Sequence, residues 1–216
     1  NIQVTIFALP TVSTAGTDQN LCNVTSTTLA GNTPVIGSGT WTRISGPNTP
    51  TITTPSSATS TLTGMIPGIY IYRWTIINGV CAGSTDDVQI TIFALPTSSI
   101  AGSDQSLCNA LSATLSGNNP AVGSGNWTLV SGPNVPTISS PGSANSNVSG
   151  LINGVYVFRW TIASGVCATS SDDVQITIFA PSTISNAGSD QNLCNVTSTT
   201  LAGNAPAAGS GLWTLV

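Results

Sequence analysis

The 216 residues hold three Arg and seven Asp but no Lys, Glu or His, so charged side chains make up 5% and the net charge is −4. Without His, Lys or Glu the usual general bases and activated amines are missing, and no enzyme is expected whatever the number of serines. Three Arg on an acidic chain leave no basic footprint for nucleic acid, and no apolar run approaches a membrane span.

Residues 1–10 include QVTIFALP (Gln3–Pro10), which returns at Gln89–Pro96 as QITIFALP and reads as the last strand of a preceding repeat. Residues 11–96 read as the first full repeat. Ala15-Gly16-Thr17-Asp18 is turn chemistry, and a short strand around Asn20–Val24 holds Cys22. Thr27–Ala30 is the next strand, ended by Gly31-Asn32. Thr33–Gly39 is a loop, and Thr40–Ser45 is a strand carrying Trp41. After the Gly46-Pro47-Asn48 turn come two short strands, Thr51–Thr54 and Ser60–Thr63, split by Pro55-Ser56-Ser57.

The stretch Gly68–Phe93 organises the repeat. Apolar and polar residues alternate with period two, which marks strands with one buried face. Tyr70, Tyr72, Trp74 and Ile76 fall on one side, and Ile69, Ile71, Arg73 and Thr75 on the other. Asn78-Gly79 turns the chain back. Val88, Ile90 and Ile92 then share a face of the returning strand. Pro67-Gly68-x-Tyr70 has the form of a tyrosine corner, in which a Tyr early in the penultimate strand bonds back to backbone.

Everything recurs about 86 residues on. Cys22, Cys108 and Cys194 are in register, as are Trp41, Trp127 and Trp213, and Tyr156, Phe158, Trp160 and Ile162 repeat the aromatic face. Residues 97–182 are the second repeat and 183–216 the N-terminal part of a third, so the chain reads as a piece of a longer repetitive protein. Short strands with frequent turn signals predict an all-β fold of tandem immunoglobulin-like β-sandwiches, about seven strands in each. The expected core aromatics are Trp41, Tyr70, Tyr72, Trp74, Trp127, Tyr156, Phe158 and Trp160.

Each full repeat has two cysteines, and the equal spacing reads as one disulfide per repeat: Cys22–Cys81 and Cys108–Cys167, with the partner of Cys194 outside these residues. Chain entropy puts such a bridge at about 4 kcal/mol. Buried free thiols are the alternative. Zinc is excluded, because two cysteines and no histidine cannot supply four ligands. Disulfides point to an oxidising, extracellular compartment.

Asp86, Asp87, Asp104, Asp172, Asp173 and Asp190 are candidate calcium ligands near the repeat junctions, if carbonyl oxygens complete the shell. The favoured reading gives them other work. A hairpin turning near Val80 sets Arg73 opposite Asp87 and Arg159 opposite Asp173 as cross-strand ion pairs. Asp18, Asp104 and Asp190 then accept backbone N–H groups in turns. Trp41, Trp127 and Trp213 can stack on a sugar, but a Trp within an alternating strand is more often core. The acceptor patterns at Asn23, Asn126, Asn147 and Asn195 are expected by chance in so Thr-rich a chain.

The segments AGTDQNLC, GSGTWTRISGPNTP, GIYIYRWTIINGVC and STDDVQITI resemble the PKD-like, immunoglobulin-type repeats of large surface proteins secreted by Bacteroidota. The resemblance implies an extracellular, cell-surface tandem repeat serving as stalk, adhesin or filament. The W-D-F-G-D-G motif of better-known PKD domains is absent, with Trp41-Thr42-Arg43 and Trp127-Thr128-Leu129 in its place, so ligand habits do not carry over. The expected function is a structural, non-enzymatic extracellular stalk, fibre or filament; the alternative is an adhesin module binding glycan or a host surface through its loops. Expected partners are neighbouring repeats, identical chains and, on the alternative, a surface glycan, with no membrane insertion and no cofactor other than the calcium candidate. Lys–Asn isopeptide cross-links are impossible without Lys. The short Phe93–Ile100 junction with Pro96 is expected to limit the angle between repeats.

Overall fold

The computed structural model describes residues 1–216 and contains strands but no helix. Residues 19–93 make seven strands: β1 (Gln19–Cys22), β2 (Ser26–Ala30), β3 (Ser38–Ser45), β4 (Thr51–Ile52), β5 (Thr59–Thr63), β6 (Gly68–Ile77) and β7 (Ser84–Phe93). They form two sheets, β1-β7-β6-β3 and β2-β5-β4. Residues 105–179 repeat the plan as β8 (Gln105–Cys108), β9 (Ser112–Ser116), β10 (Ser124–Ser131), β11 (Thr137–Ile138), β12 (Asn145–Ser149), β13 (Gly154–Ala163) and β14 (Ser170–Phe179). Their sheets are β10-β13-β14-β8 and β11-β12-β9. The chain is thus two tandem β-sandwiches of about 86 residues.

Period-two alternation becomes burial directly. Tyr70, Tyr72, Trp74 and Ile76 on β6 are wholly buried, and Val88, Ile90 and Ile92 continue that face on β7. Leu29 and Leu62 cover them from the second sheet. Trp41 on β3 lies opposite Trp74, with ring centroids 5.0 Å apart. Trp127 and Trp160 repeat the pair at 5.0 Å, and Tyr156 and Phe158 are buried beside them. Each such side chain contributes roughly 1.5–3 kcal/mol by leaving water. Packing is close: a Cβ on Gly39 would run into the Trp74 ring.

Tyr70 Oη closes the corner. It accepts from Ile66 N at 3.0 Å and is hydrogen-bonded to Asn48 Oδ1, and Tyr156 does the same with Ile152 N and Asn134. Tyr72 Oη, by contrast, is buried without a partner. Burial pushes its ionisation up to about 12, and Arg43 opposes the shift only in part.

One feature lies beyond the sequence expectation and another differs from it. The first strand lies alongside the last and runs parallel to it, with Gln19 opposite Ile90 and Cys22 opposite Phe93. Alternation says nothing about that pairing, because it joins strands far apart in the chain. The other concerns residues 1–10 and 183–216, which form no strand. An extended segment needs a neighbouring strand to satisfy its N–H and C=O groups in a ladder, and neither segment pairs with one.

The chain divides into two compact units. One comprises Asn1–Ser99, Asn119–Gly125 and Thr161–Ser171; the other comprises Ile100–Asn118, Asn126–Trp160 and Asp172–Val216. No helix is long and apolar enough to cross a membrane.

Candidate functional site

The expected Cys22–Cys81 and Cys108–Cys167 bridges are not those the structure contains. Cys22 is bonded to Cys167, 145 residues away, with Cα atoms 5.0 Å apart, and Cys81, Cys108 and Cys194 are free. The reason lies in β1. Its parallel register puts Cys22 beside Phe93, at the C-terminal end of β7, whereas Cys81 sits in the turn that precedes β7. The ten residues of β7 separate these ends by roughly 30 Å at the usual rise per residue, far beyond disulfide reach. The sequence reading placed Cys22 at the wrong end of the hairpin.

The bonded site is built from three pieces, all within the first compact unit. Phe93 ends β7 and pairs with Cys22. Asn23 takes a left-handed turn, φ +49, and its N–H donates to Phe93 O at 2.8 Å, fixing the strand end. Asn tolerates that conformation because its short polar side chain bonds locally. Over this end lies the turn after β13, where Cys167 N–H donates to Ser164 O at 3.0 Å. Gly165 has φ +51, and a Cβ there would run into the Phe93 ring. Cys167 Sγ lies 3.5 Å from Ala94 O and is nearly buried. Glycine is needed here both for the backbone angle and for the aromatic contact.

The sequence reading missed Phe93, Asn23 and Gly165 as parts of this site. A signal did exist: Asn follows the cysteine at positions 23, 109 and 195, and Gly precedes Cys81 and Cys167 by two residues.

The acidic residues are engaged elsewhere. Arg73 Nε donates to Asp87 at 2.7 Å, and Arg159 repeats this with Asp173 at 2.7 Å. The guanidinium hydrogen bond holds each of these carboxyls below the ordinary carboxylate range. Asp86 accepts from Ala15 N at 2.7 Å, and Asp172 from Ala101 N at 2.8 Å. Asp18 and Asp104 accept backbone N–H groups from Gln89 and Gln175 on the last strands, not from their own turns. Asp190 is exposed, and no three candidate ligands converge. Trp41 and Trp127 are buried and present no face to a sugar, whereas Trp213 is half exposed.

Two sandwiches, with a disulfide that ties the strand end of one repeat to a turn of the next, define an immunoglobulin-like tandem module. The chain belongs to the family described as K319L-like, PKD domain, which it matches at residues 15–92 and 101–178. Among solved structures it is similar to Sidekick-1 immunoglobulin domains 1–5, at 11% identity and TM-score 0.57, covering 81% of this chain and 40% of that one. Murine CEACAM1b matches at 12% identity and TM-score 0.53, over 74% of this chain and 95% of the other. A titin I-band fragment matches at 13% identity and TM-score 0.50, over 82% and 68%. At these identities the likeness concerns the fold alone. No curated protein matches the chain.

Proposed function

We propose that this protein is a structural, non-catalytic component outside the cell, in which consecutive sandwiches act as the links of a stalk or fibre. The observation that carries the reading is the Cys22–Cys167 bond, which joins one repeat to the next rather than closing each repeat on itself. A bond in that position adds a covalent route along the chain, which has value where length must be held under tension. Disulfides persist in oxidising surroundings, consistent with an extracellular setting. The composition fits: Thr, Ser, Asn and Gly hydrate the surface, and with charged residues at 5% little repulsion opposes contact between chains.

Electron microscopy of the native secreted material tests this, together with stretching of single chains with and without reductant. Regular fibres, and an extension that lengthens markedly once thiols are reduced, are the expected results. Dispersed globular particles would overturn it. Specific capture of a carbohydrate by the isolated chain on a glycan array would favour the recognition reading, in which the loops are the working surface.

A further inference from the structure

The structure holds one complete joint and two halves of another. In the complete joint a strand-end cysteine beside a phenylalanine, Cys22 with Phe93, meets a turn cysteine, Cys167, whose loop seats that ring on Gly165. The strand-end half recurs at β8 and β14. Cys108 pairs with Phe179, and Asn109, φ +50, donates its N–H to Phe179 O at 2.9 Å. Cys108 is exposed, and Phe179 is 55% exposed. The turn half recurs after β6. Cys81 N–H donates to Asn78 O at 3.1 Å, and its Sγ lies 3.4 Å from Ala8 O, as Cys167 Sγ lies 3.5 Å from Ala94 O. A Cβ on Gly79 would run into the Phe7 ring, so Phe7 occupies the seat that Phe93 fills on Gly165. Yet no cysteine stands beside Phe7, and residues 1–10 belong to no sheet.

We propose that Cys108 and Cys81 are the two halves of a repeat-to-repeat disulfide whose partner is a further repeat of this same sequence, joined head to tail. In a longer polypeptide the partner arrives in cis at the Cys22–Cys167 spacing of 145 residues; for the 216-residue chain it is a second copy. The chemistry is thiol–disulfide exchange with a small-molecule disulfide. The Cys108 thiolate attacks one sulfur of the oxidant and releases one small thiol. The Cys81 thiolate then attacks the mixed disulfide at Cys108 Sγ and releases the second. One S–S bond forms in the protein and one is lost from the oxidant, and the two cysteine protons leave with the released thiols. Because the joined surfaces differ, the contact is head-to-tail and leaves one unused half at each end of a joined pair, so the same bond can be made again with a further copy. The inference goes beyond the proposed function, since fibres can form without this bond and the bond without fibres.

The test uses the full chain in a Cys194→Ser background with oxidised and reduced glutathione. A chain also carrying Cys81→Ser offers only Cys108, and one carrying Cys108→Ser offers only Cys81. Mixed together they are expected to yield a Cys108–Cys81 dimer as the dominant product, identified by mass mapping of non-reduced peptides, while each alone stays monomeric. Phe7→Ala, which vacates the Gly79 seat, is expected to raise the yield. Symmetric dimers in statistical proportion, a mixture that stays monomeric, or recovery of a Cys22–Cys81 peptide would overturn the proposal. Peptide mapping of the native secreted protein separates the two sources. A joined pair within one chain leaves its mass unchanged on a non-reducing gel, and a pair between chains gives a ladder that reductant collapses; recovery of Cys108 as a free thiol would again overturn it.

Discussion

Residues 97–130 and 183–216 are identical at 24 of 34 positions, and only the first set is folded into strands. Trp127 is 1% exposed, whereas its counterpart Trp213 is 51% exposed; Leu115 is wholly buried, whereas Leu201 is 57% exposed. The local hydrogen bonds nonetheless persist. Ile100 N donates to Asn118 Oδ1 at 2.8 Å, and Asn186 N donates to Asn204 Oδ1 at 2.8 Å. Thr97 Oγ1 accepts from Val122 N at 2.9 Å, and Thr183 Oγ1 from Ala208 N at 2.9 Å. Turn chemistry is therefore written in the segment itself, while strand formation waits for the long hairpin. The second set has no counterpart of β13 and β14 to pair with, and no counterpart of Trp160 to stack on Trp213.

That contrast can be tested by supplying what is missing. Adding a copy of residues 131–179 after Val216 should bury Trp213 and shift its fluorescence to the blue; a spectrum that stays red would show that the hairpin is not the organiser. Next in size, Trp160→Ala removes the ring against Trp127 and the bond from its Nε1 to Asn118 O. It should cost about 3–5 kcal/mol in urea unfolding, whereas Trp213→Ala should change stability by less than about 0.5 kcal/mol.

Gly39→Ala should cost about 1–3 kcal/mol, because the new methyl meets Trp74. Its counterpart Gly211→Ala meets nothing within 4 Å and should be silent. Tyr72→Phe should raise the melting temperature slightly. It removes a buried hydroxyl with no partner, the second repeat already has Phe158 in that place, and such orphans cost about 1 kcal/mol or more. The smallest effect concerns pH. Asp87 and Asp173 are held below their unfolded range by Arg73 and Arg159, so their contribution is present above the ordinary carboxylate value and fades as pH falls through the lowered one. Both pairs are exposed, so melting curves should move little across that acidic window, and Asp87→Asn should remove the dependence at its own site.

How much of this was readable from the residues depends on the reach of each interaction. The hairpin, its buried face and the Arg–Asp register follow from alternation and one turn, all within some 26 consecutive residues. The tyrosine corner was readable for the same reason, since Tyr70 bonds to Ile66 only four positions back. The placement of β1 was not readable. Residues 19–22 show too little pattern to reveal which end of β7 they meet, and the cysteine pairing inherits that ambiguity. Equal spacing cannot help, because a bridge within each repeat and a bridge to the next obey the same period. Only the parallel register separates them.

The Cys22–Cys167 bond also bears on survival in a protease-rich medium. Arg43, Arg73 and Arg159, the whole supply of trypsin sites, lie inside the ring that this bond closes. A single cut at any of them therefore opens the ring without releasing a fragment, and the two ends of the chain stay tied until the sulfurs are reduced.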